Sequence, residues 1–157
     1  MRHQHKNGLS QNKWDKISSN LAAFFALCVA LFPMNVYPSH YYCNILYRSI
    51  SSWRNYVHYG SAGAFFLTLA AMSYFLFTKT KDDDKANMTP QKIKRNKLYR
   101  ICAVIMCVAI VLIGSLNIKV IGNALEPYKP IFVLETIALW AFGLSWLTKG
   151  EFLLKDR

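Results

Sequence analysis

Four long apolar stretches alternate with polar, mostly basic segments along this chain. The stretches cover residues 17–36, 57–78, 98–116 and 131–148. Each is close to the roughly 20 residues that a helix needs to cross the hydrocarbon layer of a bilayer. The pattern therefore predicts an all-α membrane protein whose four transmembrane helices form a bundle over residues 10–148. A chain of 157 residues leaves no room for a separate soluble domain of ordinary size.

The basic residues predict how this bundle lies in the membrane. Fifteen of the 19 Lys and Arg residues precede the first stretch, lie between the second and third or at the start of the third (Arg100), or follow the fourth. Because positive charge is retained on the cytoplasmic side, both termini and the central loop are expected in the cytoplasm. The expected location is the cell membrane, as for a multi-pass protein of the bacterial inner membrane.

The net charge of +11 raises the question of a nucleic-acid partner. The charge lies in segments that flank the membrane, and no nucleic-acid-binding module fits into these loops. The bilayer itself and its anionic headgroups on the cytoplasmic side are therefore the expected partners. The expected headgroup contacts are the cations that lead into the third stretch: Lys92, Lys94, Arg95, Lys97 and Arg100.

The ends of the stretches carry helix-boundary signals. Pro33 should end the first helix, Thr89-Pro90 should cap the third, and Pro130 should start the fourth. Residues 1–9 are expected to be a disordered tail and residues 149–157 a second cytoplasmic tail. The first stretch lacks a cleavage site of small residues, so it is expected to be retained rather than removed as a signal peptide. Gly60 and Ala64 form a small-xxx-small pair that predicts close approach of a neighbouring helix.

Aromatic side chains are concentrated in the loop between the first and second stretches. Such density suits the membrane–water interface, and the near-helical spacing of its apolar residues favours a short amphipathic helix on the outer surface. The alternative is a loop folded over the mouth of the bundle, with its aromatic residues lining a cavity. The aromatic surface consists of Tyr37, Tyr41, Tyr42, Tyr47, Trp53 and Tyr56.

Glu135 is the one acidic residue within a predicted span. A carboxylate at this depth should face the bundle interior or a wet cavity and have a partner. His58 is the expected partner because the second and fourth spans run in the same direction, and Tyr59, Ser115 and Asn117 lie near the same end. Three uses remain open: an interhelical hydrogen bond, a protonatable group coupled to transport, and an anchor for a lipid headgroup, quinone or partner subunit.

The remaining chemistry-bearing residues predict no cofactor, metal site or catalytic residue. Cys28, Cys102 and Cys107 lie within spans, and no C-x-x-C pair occurs, so the cysteines are interpreted as packing residues. Bis-His ligation of haem needs histidines on facing spans, and His58 alone approaches that requirement. A zinc site from His40, Cys43 and His58 has too few ligands. No nucleophile elbow, P-loop or dinucleotide fingerprint is present.

Three segments carry a resemblance to a known class of proteins. The sequences VHYGSAGAFF, KIKRNKLYR and LETIALWAFGLSWLTKGE resemble small uncharacterised four-span integral membrane proteins of bacteria, of the domain-of-unknown-function type. The resemblance covers most of the chain after about residue 14 and implies no activity. Small multidrug transporters also have four spans and a membrane Glu, but theirs lies in the first span.

These features favour a non-enzymatic membrane protein, either an accessory subunit or a small binding module that recognises its partner through the outer aromatic loop. It could act as a homo-oligomer or with another membrane protein. The alternative is a small proton-coupled transporter or channel, formed by oligomerisation and using Glu135 with His58. An enzyme acting on lipid at the outer leaflet is a third class, for which the sequence offers no second acidic or nucleophilic group near Glu135.

Overall fold

The computed structural model describes residues 2–33, 53–79, 89–116 and 128–154, with the backbone alone over residues 2–12. The described chain is entirely helical apart from turns and bends, and it forms the predicted four-helix bundle. All four helices are long and apolar enough to cross a membrane. The helices are α1 (Arg2–Leu31), α2 (Trp53–Ala71, continued by a π-helical turn over Met72–Leu76), α3 (Pro90–Ser115) and α4 (Pro130–Lys149).

The first helix is longer at its start than the sequence predicts, and it ends at the predicted proline, before the end of the apolar stretch. It begins at Arg2, so residues 2–9 are helical rather than a disordered tail. Extending an existing helix fixes one residue per added hydrogen bond, which lets a polar segment continue a long apolar helix. At the other end Pro33 disfavours the helical conformation at Phe32, so α1 stops at Leu31 instead of reaching residue 36.

The predicted starts of α3 and α4 are confirmed. The Thr89 hydroxyl accepts a hydrogen bond from the backbone N–H of Lys92 at 3.3 Å, and Pro90 occupies the first helical position. The basic lead-in is therefore continuous with the third span. Pro130 likewise opens α4, preceded by Lys129 in the left-handed region at φ 47°.

The four helices pack in chain order, and the α3–α4 contact is the most extensive. The helix α2 lies between α1 and α3, while α1 packs mainly against α2. Met106 is completely buried at the centre of the core, which otherwise consists largely of alanine with a few larger apolar side chains. The core residues are Ala22, Phe66, Leu69, Ala70, Cys102, Met106, Ala109, Ala138 and Ala141. Small residues of this kind let membrane helices approach closely.

The close approach predicted at Gly60 does not occur within the described bundle. A methyl group added at Gly60 would have no neighbouring atom within 4 Å, and the residue is exposed. Ser61, one position further and about 100° around the helix, is the buried residue instead. The glycine therefore lies on the wrong side of α2 to serve this contact.

Contacts between helix ends define two ends of the bundle. At what we call the basic end, Lys149 Nζ donates to the Phe77 carbonyl at 3.4 Å, and Arg95 lies 3.7 Å from Glu151. These contacts bring together the start of α3 and the ends of α2 and α4. The opposite end holds the end of α1 and the starts of α2 and α4, and with them His58 and Glu135.

Candidate functional site

His58 and Glu135, the predicted pair, both lie at the opposite end of the bundle. Both side chains are half-buried, and the Glu135 carboxylate has an electrostatic interaction with the His58 ring. Among the described residues, however, no hydrogen bond or ion pair at 4 Å or less joins them. The two side chains therefore lie between α2 and α4 without a hydrogen bond between them.

The ring of His58 is held by a partner that the sequence did not predict. Its Nδ1 lies 2.9 Å from the carbonyl oxygen of Phe32 at the end of α1. A carbonyl can only accept, so Nδ1 carries the proton and donates it. Phe32 lies outside the helix because Pro33 follows it, and an uncapped carbonyl in an apolar layer needs such a donor. The signal available in sequence was Pro33 itself, which exposes a carbonyl one residue before it.

Aromatic rings surround this hydrogen bond. Phe32 and Trp53 meet edge to face with their ring centroids 5.6 Å apart, and the His58 and Tyr59 rings are 5.9 Å apart. The hydrogen bond and the Phe32–Trp53 contact join the end of α1 to the start of α2. Trp53 remains 52% exposed and Tyr56 78% exposed, so the described part of the aromatic surface stays open to its surroundings.

The other residues predicted near Glu135 and His58 are Tyr59, Ser115 and Asn117, and they do not all join the pair. The Ser115 hydroxyl donates to the Leu112 carbonyl of its own helix at 2.7 Å, which occupies its proton within α3. Tyr59 lies beside His58. Asn117, the predicted amphipathic helix and four of the predicted aromatic residues lie outside the described residues: Tyr37, Tyr41, Tyr42 and Tyr47.

At the basic end, the five cations expected to contact lipid headgroups differ in their surroundings. Arg95 pairs with Glu151, and Arg100 lies 5.8 Å from the centre of the Tyr74 ring, so both face other parts of the protein. Lys92 is half-buried at the start of α3. Lys94 and Lys97 instead line an open groove between α3 and α4.

Two buried hydroxyl groups were not anticipated from the sequence. Ser73, in the π-helical turn of α2, and Ser145 on α4 are both completely buried. Among the described residues, neither hydroxyl oxygen has a hydrogen-bond partner. Nowhere among the described residues do three His, Cys, Asp or Glu side chains come together in a group suited to a metal ion.

The fold and the helix lengths identify a multi-pass membrane protein. No protein-family model, curated protein or solved structure matches the chain.

Proposed function

We propose that the protein is a non-enzymatic accessory or binding subunit that holds another membrane-embedded helix against α1. The observation that carries this proposal is how little of α1 is buried by the described part of the chain. Only 6% of the apolar segment Lys13–Leu31 is buried, against 33% for the second span. A span attached along one side leaves the rest of its surface for lipid or for a partner.

One side of α1 has the composition of a helix–helix interface. Four small residues recur at spacings of four, three and four, and all are exposed: Ser19, Ala23, Ala26 and Ala30. At 3.6 residues per turn they lie within a sector of roughly 60°. Ser19/Ala23 and Ala26/Ala30 are small-xxx-small pairs, which allow two helix backbones to approach closely in a membrane. We call these four residues the small face of α1.

The interior supports a binding role over transport. Within the described residues, every side chain that is buried is apolar, serine or threonine, and none carries a charge. A pathway for ions or polar solutes would need a wet or charged lining. The core around Met106 is instead packed with alanine.

Bulky substitutions on the small face should release the partner without unfolding the protein. We expect the double substitution A23L/A26L to lower recovery of the co-purifying membrane partner at least about tenfold, equivalent to about 1.4 kcal/mol, because leucine separates the two backbones. The measurement is a quantitative pull-down of the tagged full chain in mild detergent, with a differently tagged copy to detect self-association. A71L is the matched control, since Ala71 is exposed on α2. Equal recovery from A23L/A26L and A71L would rule out the small face as the binding surface.

The proximity of Glu135 and His58 supports a second candidate, a proton-coupled transporter. A carboxyl beside an imidazole, near one end of a membrane bundle, is a plausible proton relay. Such a function would require an oligomer, since the interior of one chain offers no charged path among the described residues.

Replacing Glu135 by Gln separates the two candidates. Gln keeps the shape of Glu and removes its charge, so E135Q should leave the folded yield within about twofold, because half-buried Glu135 closes no ion pair among the described residues. For an accessory subunit we expect no change in proton flux into vesicles that contain a trapped pH-sensitive dye. A transporter would lose pH-driven flux in E135Q but retain it in T136V, a nearly isosteric control at the next residue of α4.

The orientation proposed for this subunit follows the charge distribution. We infer that the basic end and both termini face the cytoplasm of a cell of bacterial type, since 15 of 19 basic residues flank that side. The resemblance to small bacterial four-span proteins supports the same location.

A further inference from the structure

An apolar groove runs along the surface between α3 and α4. Its volume is about 510 Å³, and its lining is almost entirely apolar. Because α3 and α4 are antiparallel, residues from the start of α3 face residues from the end of α4. The lining residues are Lys94, Lys97, Leu98, Ile101, Cys102, Ile105, Ile137, Trp140, Ala141 and Leu144.

We propose that this groove binds one anionic phospholipid, with an acyl chain along the groove and the headgroup phosphate at Lys94 and Lys97. This site is separate from the small face of α1 and does not depend on it. The dimensions fit one leaflet. From Lys94 to Ile105 the groove extends roughly 16 Å at 1.5 Å per residue, about half of the 30 Å hydrocarbon thickness of a bilayer.

The placement of the two lysines carries the choice of an anionic headgroup. Both lie at the basic end of the groove, where α3 leaves its apolar segment. Their aliphatic stems form part of the apolar lining, and lysines at a membrane interface extend such stems so that the ammonium group reaches the headgroup layer. Among the described residues neither ammonium has an acidic partner, whereas neighbouring Arg95 pairs with Glu151. Two cations that have no acidic partner among the described residues, at one end of an acyl-sized groove, are complementary to a phosphate.

The wall of the groove is exposed to the lipid layer rather than enclosed. Trp140 is 75% exposed and Ile101 50% exposed, so a chain can enter from the side without any movement of the helices. The indole forms a flat wall against which methylene groups can pack. These apolar contacts stabilise the acyl chain of any phospholipid, whereas the two lysines favour lipids with an anionic headgroup.

The site predicts separate effects for headgroup and acyl chain. The test uses native mass spectrometry of the detergent-solubilised full chain, titrated with dioleoyl phosphatidylglycerol or dioleoyl phosphatidylcholine. We expect K94Q/K97Q to weaken phosphatidylglycerol binding about thirtyfold, equivalent to about 2 kcal/mol. Phosphatidylcholine should lose much less, because its choline cation already offsets the charge of its phosphate. We expect W140A to weaken both lipids several-fold, because it removes a wall of the groove.

Two matched variants control for charge and for loss of an indole. K13Q/K16Q removes two exposed cations from α1 at the same end of the bundle, and W146A removes a second exposed tryptophan of α4 that does not line the groove. Neither should alter lipid binding. All the substituted residues are exposed, and equal unfolding midpoints would verify that the fold is retained.

Three results would overturn the proposal. The first is equal loss of phosphatidylglycerol in K94Q/K97Q and K13Q/K16Q, which would indicate attraction to the whole basic surface. The second is equal affinity for the two lipids in the unsubstituted protein. The third is a lipid-free dimer that dissociates in W140A, since a second copy of the chain would then occupy the groove.

Discussion

Replacing Met106 by Ala should destabilise the bundle by about 2 kcal/mol, the low end of the range for Met→Ala in protein cores. Met106 is 0% exposed and belongs to the core shared by α2, α3 and α4. In a membrane the lost contacts matter more than the hydrophobic effect, because lipid chains are as apolar as the core itself. The cost should therefore come from the cavity and from lost dispersion contacts.

The measurement is the free energy of unfolding in mixed micelles, with V108A as the control. Val108 lies on the same helix, two residues away, and is 50% exposed. It should change stability by no more than about 0.5 kcal/mol, as is usual for surface positions. If M106A and V108A cost the same, Met106 is not at the centre of the packed core.

Replacing Ala138 by Leu should cost about 1–3 kcal/mol by forcing α3 and α4 apart. Ala138 is 1% exposed and begins a line of small buried residues on α4, which continues with Ala141, Ser145 and Thr148. This line is the main reason that α3 and α4 can pack along most of their length. A71L, on an exposed site of α2, provides the same change in volume without the steric conflict.

A double substitution tests whether Met106 and Ala138 occupy the same packing site. Met106 and Ala138 belong to one core cluster, so the cavity left by M106A can receive part of the leucine side chain. We expect M106A/A138L to be less destabilised than the two single effects combined, by at least about 0.5 kcal/mol. Strict additivity would mean that the two residues do not share a packing site.

At the end of the bundle opposite the basic end, the sequence predicted one part of the arrangement and not another. Glu135 has to lie where a partner is available, and the parallel directions of the second and fourth spans indicated His58. The hydrogen bond from His58 to Phe32 was not foreseen, because it depends on where α1 ends and how α2 rotates against it. Pro33 indicates that the Phe32 carbonyl lacks a helical partner, but the sequence does not show which side chain reaches it.

For the cations at the start of α3, the sequence likewise predicted one feature, and the tertiary structure decided another. Their number and position mark the basic end from the sequence alone. Only the three-dimensional contacts separate Arg95 and Arg100, which face Glu151 and Tyr74, from Lys94 and Lys97 at the groove. That division follows from helix rotation, and adjacent residues on a helix differ by about 100° in direction.

The sequence by itself determined the number of helices and the proline-marked boundaries at Pro33, Pro90 and Pro130. Those features depend on local chemistry: apolar run length, missing N–H groups and capping hydroxyls. Tertiary structure alone decided which face of each helix is buried, why Gly60 is free of contacts, and where a groove opens between α3 and α4. In spans that are apolar all around, no periodic contrast marks the inner side, so the fit of small side chains against large ones selects it.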